Sequence, residues 1–203
     1  MTVNVLSLHA THVPAVTTLL IDAFIDDVGM RAICAGTSEV HYRRCLAAWF
    51  LATLHVHIET QQLAWVIIVD DVIIGVALLT RPQVPFAFRA WWSWLLTVGT
   101  HCGWGVVWRT GQHERQRAAY RPPQAHALLE FITVHRDYRG QGYATLLFDA
   151  VHQWEKMHVL SAGIWLETTR PRNVPFFEYF GYVVTGRMLF AQEAAIFLFR
   201  PHD

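Results

Sequence analysis

Charge is scarce in this sequence. Asp, Glu, Lys and Arg make up 16% of its 203 residues, and sixteen basic residues balance sixteen acidic ones. A nucleic-acid footprint needs clustered basic charge, so no nucleic-acid partner is expected. Cysteine is scarce too. Cys34, Cys45 and Cys102 are scattered along the chain. They form neither a disulfide framework nor a metal motif, and they suit a reducing compartment, the cytoplasm. The twelve histidines contain no His-Glu-x-x-His and join no Cys/His cluster, so no metal site is expected. The amino terminus lacks a basic segment followed by an apolar core, which excludes a signal-peptide reading. Thr2 stands where myristoylation needs glycine. Internal repeats and low-complexity tracts are absent. One stretch tests the membrane question: Ala90 to Trp108 carries no formal charge and is long enough to span. Ser93, Thr97, Thr100, His101 and three glycines interrupt it, and a span would divide the strands on its two sides between two faces of a bilayer. A packed helix or a ligand wall is the expected form.

What is abundant is apolar surface, at 53% of residues, enough for one domain with a sizeable core. Val3 to Leu8 reads as a strand. Thr11 caps a helix through Phe24, with Pro14 in its first turn; Asp26, Asp27 and Gly29 end it. Ser38 or Thr37 caps a second helix to about His57, which buries Leu46, Trp49, Phe50 and Leu54 and leaves His55 and His57 at or near the surface. Leu63–Val69 and Val72–Leu79 are β-rich runs joined by Asp70-Asp71, a hairpin signal without the usual glycine. Pro82 and Pro85 open a long insertion, at about 85–124, with helices expected through its tryptophans (Trp91, Trp92, Trp94, Trp104, Trp108) and through Arg109 to Tyr120. Leu128 to Val134 is a central strand, interrupted by Glu130. A helix follows Gly142 to about Leu160, then a strand over Ile164–Thr168. A short helix starts at Asn173 and ends at Gly181, before closing strands Val183–Leu189 and Ala194–Phe199.

The densest signal lies where the central strand feeds a turn, Arg139-x-x-Gly142-x-Ala144, that opens a helix. Glycine lets backbone amides close on a ligand, and a helix start presents unpaired donors and partial positive charge. Together these favour a phosphate, so the turn is a candidate site for a pyrophosphate-bearing cofactor.

Further on, Leu166-Glu-Thr168, Pro171-x-Asn173-x-Pro175-Phe-Phe177 and Gly181-Tyr182 follow in order. With the glycine turn before them, these residues resemble the signatures of the GNAT acetyltransferase superfamily, especially the branch resembling puromycin N-acetyltransferase. Ala23-Phe24-x-Asp26-Asp27, the insertion, and His126-x-x-Leu129-Glu130 resemble that branch as well. The resemblance implies an α/β (α+β) fold. Its mixed, mostly antiparallel twisted sheet would have a splayed central strand pair, helices on both faces and a helical insertion before the central strand. Residues 1–203 would form one such domain. It also implies acetyl-CoA as co-substrate. The segment Ile132, Thr133 and Val134 would lie along the cofactor arm, with Ile132 and Val134 pairing to the pantetheine as an added strand would. Amides of Gly140, Gln141, Gly142, Tyr143, Ala144 and Thr145 would hold the pyrophosphate, and the Arg139 side chain would add a phosphate contact. Asn173 would sit beside the cofactor arm or serve as a helix N-cap.

One departure stands out. The family usually has tyrosine where this chain has Phe177, and phenylalanine donates nothing to a departing thiolate. The enzyme does without an acid, or Tyr143, a water or a substrate group replaces it, or the chain binds acyl-CoA and catalyses poorly. Tyr179 should face elsewhere, about 200° around the helix. Glu130 is the general-base candidate, since a carboxylate among apolar neighbours is raised towards a useful range; the alternative is a salt-bridged glutamate. His126 lies on the same strand face and could relay a proton. Phe24, Asp27 and His126 are assigned to the acceptor side, and Glu167 to a structural role. The tryptophans either line the acceptor pocket or pack the insertion. The expected activity is transfer of acetyl to a primary amine of a small hydrophobic or aromatic molecule, by a monomer or homodimer. The rival is an acyl-CoA-binding sensor without turnover, and a third possibility is docking on a membrane surface through Ala90 to Trp108.

Overall fold

The computed structural model describes residues 2–34, 38–82, 87–158, 161–190 and 193–202. One sheet has the order β1-β2-β3-β4-β5-β7-β6. Its strands are β1 (Val3–Ser7), β2 (Leu63–Val69), β3 (Val72–Thr80), β4 (Ala127–Val134), β5 (Gly163–Thr168), β6 (Val183–Phe190) and β7 (Glu193–Pro201). All neighbours pair antiparallel except β4 and β5, which are parallel. This is the mixed, mostly antiparallel sheet that the resemblance implies.

Both faces are covered, which is why the inner strands read as near-continuous apolar runs. On one face Val66, Val76 and Leu78 pack under α1 (Val13–Phe24), α2 (Val28–Ile33), α3 (Glu39–Glu59), α4 (Phe88–Cys102) and α5 (Trp104–Ala118). On the other, Ile67, Ala77 and Leu79 pack under α6 (Tyr143–Lys156) and α7 (Val174–Tyr179). The hairpin between β2 and β3 closes without glycine because Asp70 and Asp71 both accept positive φ, 45° and 65°. Aspartate tolerates that region better than most side chains.

Several local expectations change. Thr11 caps no helix: Ala10–His12 form a 3-10 turn, and α1 starts behind it without a side-chain cap. Asp27 and Gly29 do not simply end α1. Asp27 caps a further short helix, accepting from the Met30 amide at 3.0 Å, and Gly29 lies inside it. Ser38 caps α3, accepting from the His41 amide; Thr37, Pro85 and Leu160 lie outside the described residues. His57 is buried, not surface-bound, while His55 is exposed. The insertion is two helices, broken at Gly103, whose φ of 87° suits glycine. Asn173 ends a 3-10 turn, and its side chain makes no cap bond to α7. The scattered cysteines come together in the core: the Cys102 thiol donates to the Cys45 carbonyl at 3.4 Å, and all three are buried. No helix among the described residues is long and apolar enough to cross a membrane.

Candidate active site

The parallel pair β4–β5 holds together only over Ala127↔Ile164, Leu128↔Trp165 and Leu129↔Leu166. Beyond that the strands part. The His135 amide donates back to Ile74 on β3, so alternation turns the backbone groups of Ile132 and Val134 to the edge that β5 has left. A sheet edge with unmet donors and acceptors invites an extended ligand to add itself as a strand. The fork opens into a cavity of about 1390 Å³, larger than the roughly 300–1,000 Å³ of most ligand pockets and roomy enough for two substrates.

At one end of the cavity lies the glycine turn. Gly140 and Gly142 have φ of 77° and 84°, and a Cβ on either would meet nothing within 4 Å. Glycine is needed there for its backbone conformation, not for space. Among the described residues no bond takes up the amides of Gly140 to Ala144, a row of free donors at the start of α6. The Thr145 amide does not join them, since it donates to the Gly142 carbonyl at 3.0 Å. Gln141 is exposed, and its side chain donates to the Asp137 carbonyl instead of lining the cavity. Arg139 spends Nε on the Val134 carbonyl at 3.0 Å, which ties the turn to the strand end and leaves only its terminal nitrogens for a phosphate. Asn173, Phe177, Thr133, Tyr143 and Ala144 all line the cavity.

The other end is built from side chains. Phe24, Trp49 and Phe131 form edge-to-face contacts: Phe24 to Phe131 at 5.2 Å and Trp49 to Phe131 at 5.9 Å. Trp94 is buried there, and its Nε1 donates to Thr53. Trp91 lines the cavity while 41% exposed, whereas Trp92, Trp104 and Trp108 are more than half exposed and do not line it. Of the five tryptophans, two line the cavity. Glu130 sits at a bulge, where β4 passes from Leu129 to Phe131 as β3 advances one residue from Leu79 to Leu78. Bulges re-aim side chains, and here Glu130 accepts from the Thr80 hydroxyl at 2.6 Å and faces the cavity. Glu167 accepts from His113 Nε2 at 3.1 Å and pairs with Arg117 at 3.7 Å. Burial works against the Arg117 charge, but Glu114, Glu167 and Glu130 outweigh it and hold the guanidinium above its ordinary range. His126 lies at the rim with Nδ1 against the Gln124 carbonyl and its ring edge-on to Trp165. Asp27 lines the cavity, but its carboxylate is engaged by the Thr169 hydroxyl at 2.8 Å and by Arg170 at 3.7 Å. It anchors the β5–α7 loop, and this accounts for its burial.

Phe177 is buried against Phe148, Phe176 and Tyr182. Tyr179 is 82% exposed, facing elsewhere as the helical angle requires. Tyr182 is buried outside the cavity with its hydroxyl on His152, and burial pushes that phenol well above the usual range. Tyr143 and Tyr138 are the phenols that line the cavity, ring to ring at 6.1 Å. Sequence reasoning missed His113, Arg117 and Thr80, and gave Glu167 only a structural part. The helical spacing of His113 and Arg117 puts them on one face, yet nothing local pairs them with a strand fifty residues later. No group of His, Cys, Asp or Glu that could hold a metal occurs among the described residues.

Comparison with known proteins agrees with this geometry. Residues 92–184 match the family model for the acetyltransferase (GNAT) domain. A search of curated proteins gives no match. Among solved structures the chain is similar to histone acetyltransferase HPA2 and related acetyltransferase from Corynebacterium glutamicum, at 20% identity over 100% of this chain and 98% of that one, TM-score 0.68. It is also similar to Ard1 from Thermoplasma volcanium, at 12% identity over 100% and 99% of the two chains, TM-score 0.60. A putative streptothricin acetyltransferase from Bacillus anthracis, in complex with acetyl coenzyme A, is 21% identical over 70% and 63%, TM-score 0.45. The chain has the GNAT fold, and within it residues 92–184 match the acetyltransferase (GNAT) domain model.

Proposed function

We propose that this protein transfers acetyl from acetyl-CoA to a primary amine of a small, hydrophobic or aromatic molecule, both substrates being bound together in the cavity. Residues 1–203 act as one such domain, with α4 and α5 as its insertion. The observation that carries this reading is the open fork of β4 and β5 beside a glycine turn with unbonded amides. Acetyl-CoA is the co-substrate of such domains. Its pantetheine arm would run along Ile132, Thr133 and Val134, and its pyrophosphate would meet the amides of Gly140, Gly142, Tyr143 and Ala144, with Asn173 and Phe177 flanking the arm. The thioester carbon would then lie near Glu130.

Glu130, or a water it orients, takes one proton from the acceptor ammonium. The freed nitrogen attacks the thioester carbon; a C–N bond forms and the C–S bond breaks. Sulfur leaves with the electron pair and takes the nitrogen's surplus proton, so atoms and charge balance. A thiol with pKa near ~8.5 is a tolerable leaving group, so the step proceeds without the phenol that Phe177 cannot supply. The aromatic wall of Phe24, Trp49, Trp91, Trp94 and Phe131 supports an apolar or aromatic acceptor. The resemblance to the puromycin branch supports a small acceptor. His126 closes the rim of that wall.

The test is thermal unfolding with acetyl-CoA. At 100 times the dissociation constant, stability should rise by about 2.7 kcal/mol; no shift at millimolar acetyl-CoA contradicts the reading. Phe177 favours a second reading, an acyl-CoA-binding module without turnover. That reading gains if acetyl-CoA binds, no amine in a broad panel is acetylated, and Phe177→Tyr changes nothing.

A further inference from the structure

We infer that Glu130 and Glu167 form a two-carboxylate receptor for the acceptor's ammonium group, with Glu167 held by His113 and Arg117 of the insertion. This rests on the acetyl-transfer reading above. The pairing of β4 with β5 ends at Leu129↔Leu166, and Glu130 and Glu167 are the next residues on each strand. Leu128 and Trp165, two residues before them, pack in one cluster on one face of the sheet, while Leu129 and Leu166 pack on the other. Alternation along β5 sends Glu167 to the face of Trp165, the bulge at Glu130 re-aims that side chain, and both carboxylates come to the cavity where the strands part. Both line the cavity.

Each carboxylate is fixed by one oxygen. Glu130 Oε1 receives the Thr80 hydroxyl, and Glu167 Oε2 receives His113 and faces Arg117. Among the described residues no bond takes the other oxygen of either group, and neither oxygen is among the fully buried polar atoms without a partner. Both reach the space of the cavity. His113 is itself clamped, its ring centroid 4.3 Å from that of Phe190, and its Nε2 lies on Glu167. With the proton on Nε2, His113 donates to the carboxylate and holds its orientation, as an orienting partner does in other His–carboxylate pairs.

A primary ammonium carries three N–H donors and no acceptor. Two fixed, half-satisfied carboxylates meet two of them and leave the third for another acceptor, so the geometry selects an amine over an alcohol or amide of the same shape. Arg81, Arg117, Arg121, Arg139, Arg170 and Arg172 line the same cavity and outnumber its carboxylates, Asp27, Glu114, Glu130 and Glu167. Selection thus comes from where the two free oxygens sit, not from an excess of negative charge. Of the two, Glu130 adjoins the reacting centre and takes the proton, and Glu167 binds and positions. Because His113 and Arg117 belong to α5, the insertion is part of the acceptor site and not only its cover.

The experiment uses the full chain and two readouts. Calorimetric titration gives acetyl-CoA affinity; steady-state kinetics with phenethylamine and with a panel of longer aromatic primary amines gives KM and kcat. Glu167→Gln, which keeps shape and removes charge, should raise the KM for amine by about tenfold or more with acetyl-CoA affinity unchanged. Glu130→Gln should fall chiefly in kcat. Arg117→Lys keeps the charge and loses the fork geometry, and should raise KM less than Glu167→Gln does. An unchanged KM in Glu167→Gln, or a loss of kcat that merely follows lost stability, overturns the receptor. Equal competition by phenethylamine and by its hydroxyl analogue, 2-phenylethanol, overturns it too. If acetyl-CoA binds and no amine of the panel is a substrate, the receptor fails while the cofactor site stands. If acetyl-CoA itself fails to bind, the parent reading falls and this one with it.

Discussion

The two ends of the cavity are made of different material. The proposed cofactor end is mostly main chain: free amides from Gly140 to Ala144 and the strand edge that β5 leaves at Ile132 and Val134, where Arg139 takes only the Val134 carbonyl, all within one strand–turn–helix unit. The proposed acceptor end is all side chain and is gathered from the length of the chain: Phe24, Trp49, Thr80, Trp94, His113, Glu130 and Glu167. A backbone site needs only the right turn and the right register, so a few glycines specify it. A side-chain constellation needs distant elements to dock correctly, and it tolerates replacement residue by residue. The difference teaches where the chain is free to vary: the main-chain end can stay constant while the acceptor end is rebuilt.

The sharpest way to break that comparison is to remove chemistry from one end and look for an effect at the other. Glu130→Gln should lower kcat by roughly 10²–10⁴-fold and leave the acetyl-CoA thermal shift intact; loss of both would show that the ends are not separable. Trp94→Ala removes a buried ring and its bond to Thr53, and should destabilise the fold by about 3–5 kcal/mol, read by denaturant unfolding. Added acetyl-CoA should still stabilise that variant. Gly142→Val forces a β-branched side chain to a φ of 84°, at about 1–2 kcal/mol. It should weaken acetyl-CoA binding while the KM for amine stays nearly constant. The smallest effect concerns alkali. The Cys102 contact pulls the Cys45 thiol down, but Cys34 and burial push it up further, to about 12 from an ordinary 9.0. The folded value exceeds the unfolded one, so this contribution to stability is full below pH 9 and is lost as pH rises towards 12. Denaturation midpoints followed across that window should fall, with Cys45→Ala showing a shallower slope.

The same contrast decides what could be read from the sequence. The glycine turn, the strand before it and the Asn173-to-Gly181 segment were legible because each is local. Their residues are neighbours in the chain, and turn chemistry fixes their shape. The fork was legible only through resemblance, since strand parting leaves no trace in composition. Glu130 could be singled out as a charge in an apolar strand, but the bulge that re-aims it depends on β3 and could not. His113 and Arg117 looked like ordinary polar positions on a helix, because their partner Glu167 lies on β5. Asp27 suggested a pocket-mouth charge by its position after α1, and the structure spends it on Thr169 and Arg170. The tryptophans suggested one wall, yet helix geometry sends Trp92, Trp104 and Trp108 outward and leaves Trp91 and Trp94 to line the cavity.

The central claim is that the strand edge and the glycine turn together receive acetyl-CoA. Amide hydrogen exchange with and without millimolar acetyl-CoA tests it directly, since bound amides exchange more slowly. The account predicts slowed exchange at Ile132, Val134 and Gly140 to Ala144, with the Thr145 amide, already bonded to Gly142, little changed. Protection confined to α4 and α5, with the turn and the strand edge unaffected, would contradict it.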